Sequence, residues 1–257
     1  MNFIDTHSHL FSEEFTDDLP QVIERAKAAG ISRIYMPNID CSTIKPLLDT
    51  VSRFPGYCFP MLGLHPTSVN ENFRDELSVM RKMLEEPNSF VAIGEVGMDL
   101  YWDKTFLQEQ LEAFDTQIQW AAEYQLPLVI HSRDSFDEVL QVMKQNQDRV
   151  LKGIFHSFTG TLDEAEQLLQ FDGFCLGING VVTFKKSTLP EVLKRIPLER
   201  IVLETDSPYL TPAPNRGKRN ESANLKDTLL KLAEIYQCTP DEVAEITTRN
   251  ALKIFIS

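Results

Sequence analysis

The chain has 257 residues, with 25 Lys/Arg against 38 Asp/Glu and a formal net charge of −13. That length can bury a large core without disulfides or a structural metal. The acidic balance excludes a protein that coats nucleic acid with its whole surface, though not a local basic site.

In chain order, strand-like runs alternate with amphipathic stretches. Residues 2–9 read as a buried strand ending in His7-Ser8-His9, followed by a helix over 17–29 closed by Gly30. Residues 31–36 give the second strand, and 42–53 a helix stopped before Pro55-Gly56. The third strand, 58–64, ends at His65-Pro66, and a helix follows over 75–86. The fourth strand, 90–95, leads through a glycine-containing turn to a long helix over 104–124, apolar at Phe106, Leu107, Leu111, Phe114, Ile118 and Ala121. Strand five spans 126–131 with a helix over 134–146; strand six spans 150–156 with a helix over 162–169. Strand seven spans 173–178 with a short helix over 189–196. Strand eight, 201–206, is followed by a proline-rich loop and helices over 223–236 and 240–254.

No linker, low-complexity segment or repeat interrupts this alternation, so residues 1–257 are expected to form one domain. Strands this rich in Ile, Val and Leu imply a parallel sheet buried on both faces. Eight β–α units predict an α/β fold, a (β/α)8 TIM barrel. An open doubly wound sheet is the alternative, weakened because no G-x-G-x-x-G follows an early strand.

The histidines carry the chemistry. His7 and His9 are two apart, so a strand presents both on one face. His65, His131 and His156 fall at the ends of strands three, five and six. Glu95 and Asp206 fall at the ends of strands four and eight. In a barrel these ends share the face that carries the active site. Histidine is the commonest metal ligand, and His7, His9, Glu95, His131, His156 and Asp206 offer more ligands than one catalytic ion with an open position uses. Two divalent ions are expected. Imidazole-rich ligation favours Zn, Mn, Fe or Ni over Mg. Such an ion pair can activate water and clamp the oxygens of an in-line displacement.

Several segments then carry a family resemblance: Asp5-Thr6-His7-Ser8-His9, Gly63-Leu64-His65-Pro66, Gly94-Glu95-Val96-Gly97-Met98-Asp99, Ile130-His131-Ser132-Arg133-Asp134, Phe155-His156-Ser157-Phe158 and Glu204-Thr205-Asp206-Ser207-Pro208-Tyr209-Leu210, running on to Arg216-Gly217-Lys218-Arg219-Asn220. In this order they span nearly the whole chain. The chain resembles the TatD family of metal-dependent deoxyribonucleases, within the amidohydrolase-like superfamily of metal-dependent TIM barrels.

The resemblance implies roles. His7, His9 and Asp206 would hold one ion, with Glu95 bridging to a second held by His131 and His156. Asp206 would also orient the attacking water or take its proton. His65 would contact the scissile phosphate or a leaving oxygen. Arg133, Arg216, Lys218 and Arg219 would bind flanking phosphates; for Arg133 the alternative is an ion pair with Asp134 or Asp137. The implied activity is hydrolysis of phosphodiester bonds in DNA, 3′→5′ on single strands, with two divalent ions (Zn, Mn or Mg). Family members are usually assayed with Mg²⁺.

Two segments depart from the family pattern. Glu221 and Ser222 stand where a proline is common, and Met98-Asp99-Leu100-Tyr101 replaces the usual Leu-Asp-Tyr-Tyr. Both bear on nucleotide fit. Competing readings keep the scaffold and change the bond, to a carboxyl ester such as D-aminoacyl-tRNA or to a C–N bond. Glu95 stands where cyclic-amide and phosphotriester hydrolases carry a carboxylated lysine. Asp134, rather than Glu, lies three residues after His131. A non-catalytic nucleic-acid-binding barrel is disfavoured by the intact ligand set.

Other features receive plainer readings. The window 183–219 holds eight Lys/Arg against four Asp/Glu, a candidate local basic site. Trp102 and Trp120 are expected to pack rather than to stack on bases, and Met80 and Met83 to fill the core. Ser157 lacks a free base to make it a nucleophile. Ser207-Pro208, Pro212 and Pro214 would fix the chain leaving strand eight. Cys41, Cys58, Cys175 and Cys238 lack ligand-like spacing and read as reduced thiols. MNFIDTHSHL has no signal-peptide pattern, and no apolar run reaches the ~20 residues of a membrane span. A cytoplasmic monomer acting on single-stranded DNA, without membrane contact, is expected.

Overall fold

The expected alternation of strands and helices runs through a computed structural model that describes residues 2–149, 151–213 and 215–256. Among the described residues eight strands are formed: β1 (Phe3–Asp5), β2 (Ile31–Pro37), β3 (Cys58–Met61), β4 (Ile93–Asp99), β5 (Leu128–Arg133), β6 (Gly153–Phe155), β7 (Phe174–Ile178) and β8 (Ile201–Leu203). The helices are α1 (Leu19–Ala29), α2 (Cys41–Arg53), α3 (Phe73–Glu85), α4 (Leu107–Tyr124), α5 (Phe136–Gln145), α6 (Leu162–Leu168), α7 (Leu189–Leu193), α8 (Leu225–Tyr236) and α9 (Pro240–Phe255).

Neighbouring strands pair in parallel, in two arcs, β1-β2-β3 and β4-β5-β6-β7-β8. The two seams are spanned by single parallel bridges, Leu62 with Ile93 and Ser8 with Ser207. Gly94 N donates to Leu62 O at 2.9 Å across one seam; Thr6 N donates to Leu203 O at 3.0 Å across the other. The fold is α/β and TIM-barrel-like, with a ladder interrupted at two places rather than continuous around the ring.

A residue in or beside each strand builds one apolar layer: Ile4, Tyr35, Met61, Ala92, Val129, Ile154, Cys175 and Val202. Helix α9 covers that layer with Ala251, Ile254 and Phe255. The rings of Tyr35 and Phe255 stack at 3.8 Å. Fully burying a side chain of this size stabilises by about 1.5–3 kcal/mol. A larger cluster fills the space between the strands and the surrounding helices. Trp120 and Met80 are buried in it, and Met83 packs against it, as expected.

Element limits differ from expectation at several strands: β3 ends at Met61 rather than 64, β6 covers Gly153–Phe155 rather than 150–156, and β8 ends at Leu203 rather than 206, and β1 and β4 differ as well. β1 stops at Asp5, so His7 and His9 stand beyond the strand itself, either side of the Ser8–Ser207 bridge. β4 runs over Ile93–Asp99 rather than 90–95, and Gly97 is a strand residue rather than part of a turn. Gly97 has φ 132, and a Cβ there would lie 2.1 Å from His131 O. The glycine serves close approach of two strands. Val150, the expected start of strand six, and Pro214, in the loop after strand eight, lie outside the described residues.

Candidate metal centre

The strand period delivers the site. Val129 and Ile154 lie in the apolar layer, and His131 and His156 follow each by two, on the same strand face one level higher. In β4 the pairing shifts from Gly94 with Val129 to Val96 with Ile130, leaving Glu95 as the extra residue. Such a bulge re-aims a side chain, and the Glu95 carboxylate stands at the middle of the imidazoles. Asp206 is placed by a φ of 57 and by its N–H donating to His7 O at 2.9 Å. A non-glycine residue in that region is held there by its surroundings. Asp5, two residues upstream of His7, accepts from Thr205 N and Thr205 Oγ1 and so braces the turn carrying Asp206.

The two oxygens of Glu95 face different partners. Oε2 lies 3.1 Å from His7 Nε2 and 3.7 Å from His9 Nε2. Oε1 lies 2.9 Å from His131 Nδ1, 3.4 Å from His65 Nε2 and 3.7 Å from His156 Nε2. Asp206 Oδ1 is 3.7 Å from His7 Nε2, 3.6 Å from His9 Nε2 and 3.8 Å from His156 Nε2. All five histidines and both carboxylates named from the sequence therefore meet in one buried centre.

Burial and charge set their protonation. Burial, then the neighbouring His156, holds His7 below the usual imidazole range. Burial likewise depresses His65. Burial alone would lower His156, but Glu204, Glu95 and Asp206 carry it up to about 10. His131 is raised, against burial, by Asp99 and Glu95. Burial would raise Glu95, yet His7, His65 and His156 hold it well below the usual carboxylate range. Asp206 is lowered against burial by His156, His9 and His7. Both carboxylates are thus ionised and ready to accept.

The donor set fits divalent metal. Three groups have ligand atoms within 4.8 Å of one another: His7, His9 and Glu95; His7, His156 and Asp206; His65, Glu95 and His131. His7 Nε2 and His9 Nε2 are 3.2 Å apart; two nitrogens on one tetrahedral zinc at 2.0–2.1 Å would be about 3.3 Å apart. Among the described residues His7 Nδ1 and His9 Nδ1 have no hydrogen-bond partner, so no protein group fixes the tautomer against Nε2 ligation.

A family model described as "TatD related DNase" matches residues 4–256. This chain belongs to the TatD family. A relative in Bacillus subtilis, an "Uncharacterized metal-dependent hydrolase YabD", is 38% identical over 98% of this chain and 98% of its own length. A "3'-5' ssDNA/RNA exonuclease TatD" from Erwinia billingiae is 32% identical over 96% of each chain. The crystal structure of YjjV, a TatD homologue from Escherichia coli, superposes with a TM-score of 0.92 at 29% identity, covering 99% of this chain and 98% of that one. The TatD-family chain is accordingly a metal-dependent hydrolase acting on ester bonds.

Four residues around the TatD centre, two acids and two glutamines, are not singled out by the sequence. Asp99 Oδ2 lies 2.9 Å from His131 Nε2. Glu204 Oε1 lies 3.0 Å from His156 Nδ1, out of line for a hydrogen bond, and accepts from Ser157 N at 2.6 Å. On α4, Gln110 and Gln117 are seven apart and share a helix face. Gln110 pairs with both backbone groups of Asp99, and Gln117 with both of Leu64, next to His65. Asp99 and Glu204 lay inside the quoted motifs, so a carboxylate near a strand end was the available signal. A buried glutamine on an otherwise amphipathic helix gives none.

The basic residues are dispersed. Arg133 is exposed, forms no ion pair with Asp134 or Asp137, and stacks its guanidinium 3.8 Å over the Tyr101 ring. Arg216 is exposed and lies 4.1 Å over Phe184; Lys218 is exposed. Arg219 forks onto Asp18 at 2.7 and 2.8 Å. Glu221, at a departure from the family pattern, forks with Arg25 of α1 at 2.7 and 2.6 Å. The 183–219 window is not one patch. Arg200, just before β8 and so at the opposite end, donates to the carbonyls of Phe174, Leu169 and Phe171, and Lys194 pairs with Glu191 at 2.7 Å. Trp102 corrects its expectation: it is 73% exposed rather than packed. Among the described residues no helix is long and apolar enough to cross a membrane.

Proposed function

We propose that this chain is a two-metal phosphodiesterase that removes nucleotides from the 3′ end of single-stranded DNA. The observation that carries the reading is the split of Glu95, one oxygen facing His7 and His9 and the other facing His131, His65 and His156. His7, His9 and Asp206 would hold one ion and His131 and His156 a second, with Glu95 shared. Zn, Mn and Mg are the candidates. Bound there, the ions supply Lewis acidity for water and for phosphoryl oxygens.

The chain's own groups do the rest. Ionised Asp206 orients the attacking water and accepts its proton. Thr67 N–H donates to His65 Nδ1 at 3.1 Å, so neutral His65 carries its proton on Nε2. That N–H is a donor for a scissile-phosphate oxygen or the leaving oxygen. Arg133, Arg216 and Lys218 offer cations to flanking phosphates. Arg219, engaged by Asp18, serves the loop first and phosphate second. The polarity and the single-stranded substrate follow the Erwinia relative's printed activity.

The test is hydrolysis of a labelled single-stranded oligodeoxynucleotide with Mg²⁺ or Mn²⁺, a chelator control and Glu95→Ala alongside. Stepwise loss from the 3′ end, sensitive to chelator and absent in the variant, is expected. No cleavage by protein verified to carry metal would overturn the nuclease reading and redirect the search to carboxyl esters such as D-aminoacyl-tRNA.

A further inference from the structure

Among the described residues the exposed large hydrophobics include three aromatics, Tyr101 (51%), Trp102 (73%) and Tyr209 (56%). All three stand in the loops that leave β4 and β8, the strands whose ends carry Asp99 and Asp206. Exposing an aromatic face to water is unfavourable; Tyr101 and Trp102 lie next to Asp99 and touch each other, and Tyr209 N donates to Asp206 O at 2.8 Å.

The loop after β4 is built to hold them still. Leu100 is buried, and its N–H donates to Arg133 O at 2.9 Å. Gln110 clamps both backbone groups of Asp99. Asp99 Oδ1 accepts from Tyr101 N at 3.1 Å, while Oδ2 meets His131 Nε2 at 2.9 Å. One carboxylate thus ties the aromatic loop to the metal centre. The Arg133 guanidinium lies 3.8 Å over Tyr101 and 5.3 Å from the Trp102 ring, and the two rings meet edge to face at 4.8 Å. Arg133 braces the pair on one side, and the indole keeps its exposure on the other.

We infer that Tyr101 and Trp102, braced by Arg133, form a stacking platform for an unpaired nucleobase beside the centre, and that this platform selects single strands over duplex. A flat exposed ring accepts any base face, and a base already stacked in a duplex cannot use it. The inference rests on the nucleic-acid reading above and adds the group that recognises the base rather than the phosphate.

The test separates the two. The chain has two tryptophans, and Trp120 is 5% exposed, so a quench of tryptophan fluorescence reports Trp102. Metal-loaded wild-type protein is titrated with a short oligothymidylate and with an abasic oligomer of the same length. Quenching by the thymidylate alone is expected; equal response to both, or to neither, overturns the platform. In steady-state cleavage, Trp102→Ala is expected to raise KM for single strands about tenfold with kcat nearly unchanged. Trp102→Phe should recover most of that, and duplex cleavage should be unaffected. A Trp102→Ala KM equal to wild type on single strands also overturns it. Thermal melting of the variant checks the fold, and an exposed indole should leave it unmoved. If DNA is not cleaved at all, the nuclease reading fails, while the base-against-abasic titration still decides the platform.

Discussion

The two halves of the centre are built from the same residue types and supported differently. In the β1 half, His7 and His9 present Nε2 to Glu95 Oε2, and their Nδ1 atoms have no partner among the described residues. In the β5–β6 half, each histidine has a carboxylate beside it: Asp99 Oδ2 hydrogen-bonds His131 Nε2 at 2.9 Å, while Glu204 Oε1 lies 3.0 Å from His156 Nδ1 as a charge partner without a hydrogen bond. A hydrogen-bonded carboxylate fixes an imidazole's orientation, and a carboxylate's charge in either position makes the ring a more basic ligand. It also keeps the proton on when no metal is present. The β1 half thus offers an uncharged His7 beside the ionised Asp206 and Glu95, and the β5–β6 half is a pocket that exchanges protons for a cation.

The largest effect tests what the halves share. Glu95→Ala should empty both, with metal content per chain falling towards zero and hydrolysis dropping about 10³-fold or more. Elemental analysis beside the activity assay checks this. Loss of one ion equivalent with the other retained would show that Glu95 belongs to one half only.

Breaking one half comes next. Asp99→Asn and Glu204→Gln should each weaken metal binding at the β5–β6 half about 10–100-fold and leave the β1 half nearly unchanged. Gly177→Ala should mimic the second, because a Cβ there would lie 2.2 Å from Glu204 Oε2. Calorimetric titration resolving two binding events is the measurement. Equal weakening of both events would contradict the division.

The halves should also differ in pH dependence. His156 is raised to about 10, so near neutrality it must lose a proton to bind metal, and His131 is shifted in the same direction. Affinity at that half should climb with pH towards about 10. His7 is lowered, so it is already neutral and binding there releases no proton from it. In the metal-free chain the sign reverses. The charged His156 contributes stability fully below its ordinary value of 6.5, and that contribution is lost as pH rises through about 10. Calorimetry in buffers of different ionisation enthalpy counts the protons, and thermal melting of the apo chain against pH follows the second effect.

What the sequence made legible follows the same division. Histidines are scarce, and strand ends share one face of a barrel, so five imidazoles with Glu95 and Asp206 could be placed together from spacing alone. In the sequence Asp99 and Glu204 read like any acid near a strand end. What marks them is burial against an imidazole, a tertiary property. Read locally, glycine signals a turn and ends strand four at Glu95, whereas Gly97 is there for the backbone of β5. Tryptophan composition points to packing at Trp102, and only the path of the loop, pinned by Leu100 and Gln110, shows that this one is exposed.

Smaller effects lie in the frame around the centre. Gln117 is buried and satisfies both backbone groups of Leu64. Gln117→Leu leaves a buried donor and acceptor unpaired, at about 1–3 kcal/mol. Denaturant unfolding should register that loss, and kcat should fall with it because Leu64 precedes His65. An unchanged kcat would make Gln117 a stability residue alone.

The smallest effect is expected at the rim, where the basic loop after β8 meets α1. Arg219 and Arg25 both reach Asp18, and Arg219, then Arg25, hold that carboxyl down at about 2. The sign follows from the lowered value: the pair stabilises above the ordinary 3.8 and is lost as pH falls through about 2. Asp18 is 34% exposed, so solvent screening limits the gain to about 1 kcal/mol or less. Asp18→Asn should barely move the melting temperature at neutral pH and should leave both metal-binding events intact. It should also loosen Arg219, leaving it only the Glu14 carbonyl and a 3.8 Å approach to Glu221, so that its guanidinium can turn to phosphate. A lower KM for DNA at low salt, fading as salt is raised, is the expected signature. No change in KM would assign Arg219 to holding the loop and remove it from the phosphate-binding set.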